Sequence, residues 1–453
     1  MRKSPPDALI LFTGILFSLF MVLALPDAYF HKDLEVFGKW TQNWNSGWQN
    51  IYINCPDCNY PILGMFGSAG LMSWLGSSGS QAPVFTFRIL LALLDGINIY
   101  LLFWIMRRLQ VEKAAYLAGL IGISISSWAG AALWGQIDGI SQLLLLLTLG
   151  WVVKKNTTDQ STTINYWLYL IISAFLLGTM LLTKQLSIFS AFSIGLLLIA
   201  DIAFHNRSLK TFLACTVVGG ATFLVALFAW DPFLALKPPY FSHLLYIWQE
   251  GIFQQGIISG NGFNIWMLSG QDMWSSAQVP FTSISPFFTP YRVGQLLFLL
   301  LTGLSTLSLF LWLSQKYKLQ EKQLDREILL NFILHLALTN LCFNVFLTGT
   351  RERYLLHFYP TILLAWAGLI GFSPLFTKKM RSLLFFCANL YGLFVLQILS
   401  SFDFHTGTST HLFMTVLHLG LYISLLIIVL KYQQLAKNTR LFFGKKTYLP
   451  FGR

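Results

Sequence analysis

The polar residues with chemical potential are few and fall in short groups. Asp33 and Glu35 stand in His31-Lys32-Asp33-Leu34-Glu35, just after the first apolar run. Gln136 and Asp138 follow a ring in Trp134-Gly135-Gln136-Ile137-Asp138-Gly139. Lys184-Gln185 separates two apolar runs, and Arg351-Glu352-Arg353-Tyr354 opens another. Together these types suit group transfer from a phosphate. A carboxylate can take the proton of an acceptor hydroxyl. Fixed cations stabilise charge growing on a leaving phosphate, and an Arg can grip it through two parallel hydrogen bonds. Gln136 and Asp138 suit sugar hydroxyls, and Trp134 suits stacking on a sugar face.

Each group also has a plainer reading. Asp33 suits the N-cap of the helix that follows it, and position alone favours that role. The Trp134–Gly139 stretch and Lys184-Gln185 read as hairpin turns between helices. Arg351 and Arg353 could snorkel to lipid headgroups. Asp95 lies near the middle of an apolar run, in Leu94-Asp95-Gly96-Ile97-Asn98. A carboxylate at such depth costs roughly 2.5–3.5 kcal/mol on insertion scales. Asp95 must therefore face protein, and a structural hydrogen-bond hub fits it better than catalysis.

The elements that hold these residues are set by composition. Of 453 residues, 55% are hydrophobic and only 11% are charged, with a mean hydropathy of +0.62. Soluble domains carry about 25% charged residues. Too little polar surface remains to cover a water-soluble globule, and lipid is the natural solvent. The expected fold is all-α, a polytopic transmembrane bundle of about 12 spans. A span needs about 20 mainly apolar residues. Candidates lie at roughly 8–25, 85–106, 114–133, 138–153, 164–182, 186–204, 210–230, 292–314, 328–349, 354–372, 382–400 and 411–430. The net charge of +12 does not point to nucleic acid, because Lys and Arg sit in short clusters between apolar runs. With both termini in the cytoplasm, alternation places most of the 30 Lys and Arg inside, as the positive-inside rule requires.

That topology leaves two long outer segments, 26–83 and 231–290, in a single domain spanning 1–453. Asp33, Gln136, Asp138, Lys184, Arg351, Glu352 and Arg353 then share the outer face. In the first segment Phe37, Trp40, Trp44, Trp48 and Tyr52 recur at steps of three and four, on one helical face. An interfacial helix with its rings in the headgroup layer is expected, in preference to a small folded loop core. Cys55 and Cys58 fit either a local disulfide or two free thiols. Asn331, His335, Asn340 and Asn344 form polar patches that helix packing explains.

Asp33-Leu-Glu-Val-Phe-Gly-Lys-Trp40, followed by Asn59-Tyr60-Pro61, resembles the first outer loop of the GT-C membrane glycosyltransferases. This pair is similar to that of the dolichyl-phosphate-glucose glucosyltransferases. Asp95, Trp134-Gly-Gln-Ile-Asp138, Lys184-Gln185, Gly262-Phe-Asn264-Ile-Trp266 and Glu352-Arg353-Tyr354 resemble, in this order, the bacterial and archaeal relatives of the mannosyltransferase PIG-V. The pattern departs at Arg351, where His is usual, at Ile62 after Tyr60-Pro61, and at the shortened Lys184-Gln185.

The resemblance implies an inverting hexosyltransferase that moves mannose or glucose from a polyprenyl-phosphate donor to a lipid- or glycan-linked acceptor. Asp33 would be the catalytic base, and Arg351, Arg353 and Lys184 would hold the donor phosphate. Glu35, Trp134, Gln136, Asp138, Asn264, Glu352 and Tyr354 would line the substrate cavity. No metal or cofactor is required, the lipid-linked sugar being a substrate. A bacterial inner membrane is favoured over the endoplasmic reticulum. The competing reading is a flippase or transporter of lipid-linked sugars. It is disfavoured because the inner loops offer short basic clusters and little else, and because no two related halves are visible.

Overall fold

A computed structural model describes residues 5–48, 51–55, 58–76, 82–157, 166–205, 208–230, 256–280, 287–318, 324–401 and 408–442. The longer helices among them are α1 (Pro5–Ala24), α2 (His31–Asn45), α3 (Ala82–Arg108), α4 (Ala114–Ile123), α5 (Asp138–Thr157), α6 (Tyr166–Leu181) and α7 (Ser187–His205). They continue with α8 (Leu209–Trp230), α9 (Pro290–Lys318), α10 (Arg326–Phe346), α11 (Phe358–Leu369), α12 (Lys378–Ser401) and α13 (Thr408–Phe442). The described residues hold no β-strand beyond isolated bridges.

All twelve expected segments are helical, but they are not twelve equal spans. Among the described residues, eight helices are long and apolar enough to cross a membrane: α1, α3, α7, α8, α9, α10, α12 and α13. They make this an integral membrane protein. The segment expected at 114–133 is α4 plus the helix Ile125–Leu133, bent by 66°. Ser124 is extended at the break, and Asn389 Oδ1 accepts the Ile125 N–H at 3.2 Å. Helices α6 and α11 have 16 and 12 residues, too few for a full crossing. Helix α5 has 20 residues, but Asp138, Lys154 and Lys155 occupy its two ends.

Close helix crossings replace bulky apolar packing where small residues meet. A Cβ on Gly119 would collide with the backbone of Ile10, and one on Gly14 would lie 2.7 Å from Gly119 O. The missing side chains let α1 and α4 touch backbone to backbone, as small residues do between membrane helices. At the centre, α10 is buried on all sides. Two of its polar residues are matched by neighbouring helices. His335 bonds Ser193 and Thr306, both at 3.0 Å, and Asn340 donates to Ser190 at 3.0 Å. Asp95 is buried and accepts from Ser18 Oγ at 3.0 Å.

The first long loop departs from expectation. Two of the rings predicted for the headgroup layer turn into the protein, and Trp44, Trp48 and Tyr52 are half-buried. Phe37 and Trp40 are buried and meet Tyr60 edge to face at 6.1 and 5.0 Å. Trp44 and Trp48 pack on Phe66 of the helix Ile62–Trp74. Enclosing large rings removes more apolar area than a one-sided interface does. The loop therefore has its own small core, which fixes α2. Cys55 and Cys58 are joined by a disulfide within it. Most of the second long loop, at 231–255 and 281–286, lies outside the described residues.

Candidate functional site

Asp33 does not cap its helix. Helix α2 begins at His31, Phe30 holds the cap position, and Asp33 lies in the first turn. An acid there still gains from the helix dipole, but its side chain is left available for other partners. Phe30 anchors the start of the helix. Its N–H donates to Trp134 O at 3.3 Å, and its ring lies 4.7 Å from the Trp134 ring.

The chain reverses after Leu133 through Gly135, whose φ is +86°. That backbone favours glycine. A Cβ there would also stand only 3.1 Å from Leu34 side-chain atoms. This turn aims Trp134 and Gln136 at α2 and places Asp138 at the head of α5. Trp134 Nε1 donates to Asp33 Oδ2 at 2.7 Å, and Gln136 Nε2 donates to the same oxygen. Arg353 Nη1 approaches that oxygen at 3.4 Å. The Arg353 guanidinium also lies 5.6 Å from the Trp134 ring centre.

A second pair lies beside the first. Lys184, buried in the turn between α6 and α7, forms an ion pair with Asp138 Oδ1. Its ammonium is flanked by the rings of Tyr60 at 5.5 Å and Tyr354 at 5.8 Å. Tyr60 in turn donates to Gln136 Oε1 at 3.3 Å. The turn is tied to the first loop: Gln185 Nε2 donates to Asn59 O, and Leu63 and Gly64 donate to Leu182 O. Glu352 is buried, 3.9 Å from Arg353 Nη1. Three carboxylates and three cations, counting Arg351, thus meet at one end of the bundle.

The electrostatics follow from this packing. Burial pushes the Asp33 carboxyl up, but Arg353, the Trp134 N–H, Arg351 and Gln136 outweigh it. Its pKa falls below the ordinary 3.8, and Asp33 is an anion at neutral pH. Glu352 goes the other way, because burial exceeds the pull of Arg353 and Arg351. Burial also lowers the Lys184 ammonium, against the opposing effect of Asp138. For Arg353, burial is overcome by Asp33 and Glu352, and its pKa is raised.

The predicted residues divide. Asp33, Trp134, Gln136, Asp138, Lys184, Glu352, Arg353 and Tyr354 come together. Arg351 is half-buried at the edge, close enough to act on both Asp33 and Glu352. Glu35 is exposed and joins no ion pair among the described residues. Asn264 supports the strand-like stretch before Arg351. Its Nδ2 donates to Ile258 O at 2.9 Å and Thr350 Oγ1 at 3.1 Å. Trp266 and Asn344 complete that brace through Phe346 O and Arg351 O.

Three participants were not predicted. Tyr60 was noted only as part of a motif. His357 bridges Ser141 at 2.8 Å and Ser190 at 2.9 Å, joining α5 to α7 beneath the Lys184 turn. Arg88 is fully buried. It donates to the carbonyls of Leu25 and Ala28 at 3.1 Å, of Pro26, and of Ala132 at 3.4 Å. One guanidinium thereby joins the segment before Asp33 to the segment before Trp134. A lone Arg at the head of an apolar span was the signal available in the sequence. No family model, curated protein or solved structure matches the chain.

Proposed function

We propose that this protein is a membrane glycosyltransferase of GT-C type. It moves mannose or glucose, with inversion, from a polyprenyl-phosphate donor to a lipid- or glycan-linked acceptor. The site faces the outer or lumenal side, with both termini cytoplasmic, and a bacterial inner membrane suits it best. The observation that carries this reading is the Asp33 carboxylate held between Trp134, Gln136 and Arg353 beside the buried Lys184–Asp138 pair. An anionic base adjoins a cation that can bind phosphate, at a membrane protein's end. The motif resemblance of Asp33–Trp40 and Asn59–Pro61 supports the same class.

In the reaction, the acceptor oxygen attacks the anomeric carbon and its proton passes to Asp33. The bond between that carbon and the phosphate oxygen breaks, and polyprenyl phosphate leaves with the electron pair. Arg353, with Arg351 and Lys184, stabilises the added charge. A phosphate drawn to Arg353 weakens the hold of that cation on Asp33. The carboxylate then becomes more basic when donor is bound.

The direct test supplies purified protein in detergent with radiolabelled polyprenyl-phosphate-mannose or polyprenyl-phosphate-glucose. Sugar release to an acceptor extract, or slowly to water, is expected from one of them. A folded protein that binds donor without turnover would instead favour transport, to be measured in liposomes.

A pH profile gives an independent check. Because the Asp33 pKa is lowered in the donor-free protein, the wild type should show no loss of kcat/KM for donor from this group until pH falls below its ordinary value. Trp134→Phe removes one hydrogen bond to the charged form. Such bonds contribute about 1.5–3 kcal/mol, and one pKa unit is about 1.36 kcal/mol. The acid limb should therefore move up by about one unit or more. An unmoved limb would show that Asp33 is not the group whose ionisation controls the rate.

A further inference from the structure

Several buried polar atoms around the site make no hydrogen bond, and they lie together. They are Arg353 Nε and Nη1, Glu352 Oε1, Asp138 Oδ2 and the Tyr391 hydroxyl. Leaving such atoms unbonded costs about 1–3 kcal/mol each, so several at one place point to a ligand. Tyr391 comes from α12, a helix that no motif linked to the chemistry. Its side chain is buried, and Glu352, Asp138 and Arg353 are all close enough to interact with its hydroxyl electrostatically. Its ring is fixed by stacking on Tyr359 at 5.2 Å and by the edge of Phe263 at 6.3 Å. Gly130 lies beside the hydroxyl, and a Cβ added there would stand 3.6 Å from the Tyr391 oxygen.

The unbonded atoms are of two kinds. Arg353 and Tyr391 offer hydrogens, and Glu352 and Asp138 offer lone pairs. A free inorganic anion would meet repulsion from the two carboxyl groups. A neutral sugar would bring no anion to the Arg353 Nε and Nη1 hydrogens, which the nearby carboxylates of Asp33 at 3.4 Å and Glu352 at 3.9 Å leave without a hydrogen bond. A glycosyl phosphate satisfies both halves, with phosphate oxygens accepting and sugar hydroxyls donating.

Resting on the glycosyltransferase reading, we propose that Tyr391 is a donor-binding residue. Its hydroxyl and the Arg353 guanidinium hold the phosphate of the lipid-linked sugar, and Glu352 and Asp138 hold the hydroxyls of its hexose. Helix α12 thus closes a site whose other parts come from the first loop, the Trp134 turn and the Arg353 segment.

Tyr391→Phe isolates the point, because it removes one unbonded oxygen and keeps the ring. A purely structural hydroxyl without partners predicts an unchanged or higher melting temperature and unchanged donor binding. The proposal predicts the same melting temperature with affinity for polyprenyl-phosphate-mannose or polyprenyl-phosphate-glucose weakened about tenfold or more, the range for a hydrogen bond to a charged group. Gly130→Ala places a methyl before the same hydroxyl and should weaken binding in the same direction. Binding is measured directly, apart from turnover. Wild-type affinity retained by both variants overturns the role of Tyr391 and leaves the enzymatic reading standing. Donor binding that depends on Tyr391 but never leads to transfer upholds the site and overturns the transferase. A folded wild type that binds neither lipid overturns both.

Discussion

Asp33→Asn should reduce sugar transfer about 10²- to 10⁴-fold, the usual contribution of a positioned general base. The substitution keeps the size of the side chain and removes its charge. The Trp134 N–H can still reach an amide oxygen, so the turn through Gly135 keeps its place. Arg353 keeps a carboxylate neighbour in Glu352 at 3.9 Å, which limits the loss of stability. Donor binding should survive, since the phosphate is assigned to Arg353 and its neighbours. The expected signature is a collapsed kcat with a KM for donor within a few-fold of wild type. The checks are a radiolabel transfer assay, a donor-binding measurement and a melting curve on the same preparation. Retention of more than about a tenth of the wild-type rate would sink the assignment of Asp33 as base. A fall in rate accompanied by unfolding would place Asp33 among the supports of α2 instead.

The sequence made the helices easy to read and their ends hard. Apolar runs announce themselves through composition, so all twelve segments were found. Whether a run crosses in one piece depends on local geometry that composition does not record. Ser124 breaks the third segment by adopting an extended backbone, and nothing about a serine among apolar residues requires that. The first loop was misjudged for a related reason. A row of rings at helical spacing fits a membrane interface and a folded core equally well. The choice was made by Tyr60, Phe66 and Phe87, which lie far along the chain. The Asp33 cap was likewise misjudged by position alone, because the cap position is Phe30, three residues earlier. Site residues were legible where several charges lay at helix ends. Tyr391 and His357 were not, since a Tyr or His inside an apolar helix looks the same whether it packs or binds. Arg88 shows the same limit: its partners are backbone carbonyls, which carry no sequence signal.

Lys184→Met should destabilise the protein by about 3–5 kcal/mol, the usual cost of removing one member of a buried ion pair. Lys184 and Asp138 are 4% and 6% exposed, so water cannot take the place of the lost partner. Asp138 would keep a buried carboxylate whose second oxygen already lacks a hydrogen bond. Asp138→Leu should cost a similar amount by stranding the ammonium between the rings of Tyr60 and Tyr354. The double variant Lys184→Met/Asp138→Leu leaves neither charge. Replacing a buried pair by apolar residues is often neutral or stabilising, so most of the loss should be recovered. The melting temperatures of the four proteins form a cycle that isolates the coupling. Two small single effects would mean that the pair is solvated in the working protein and contributes little. Function need not follow stability through this cycle. If Lys184 helps to hold the donor phosphate, the double variant should melt like wild type and bind donor more weakly than Asp138→Leu alone. If its charge serves only to neutralise Asp138, the double variant should lose no more than the hexose contact assigned to Asp138, and the phosphate would then rest on Arg351 and Arg353.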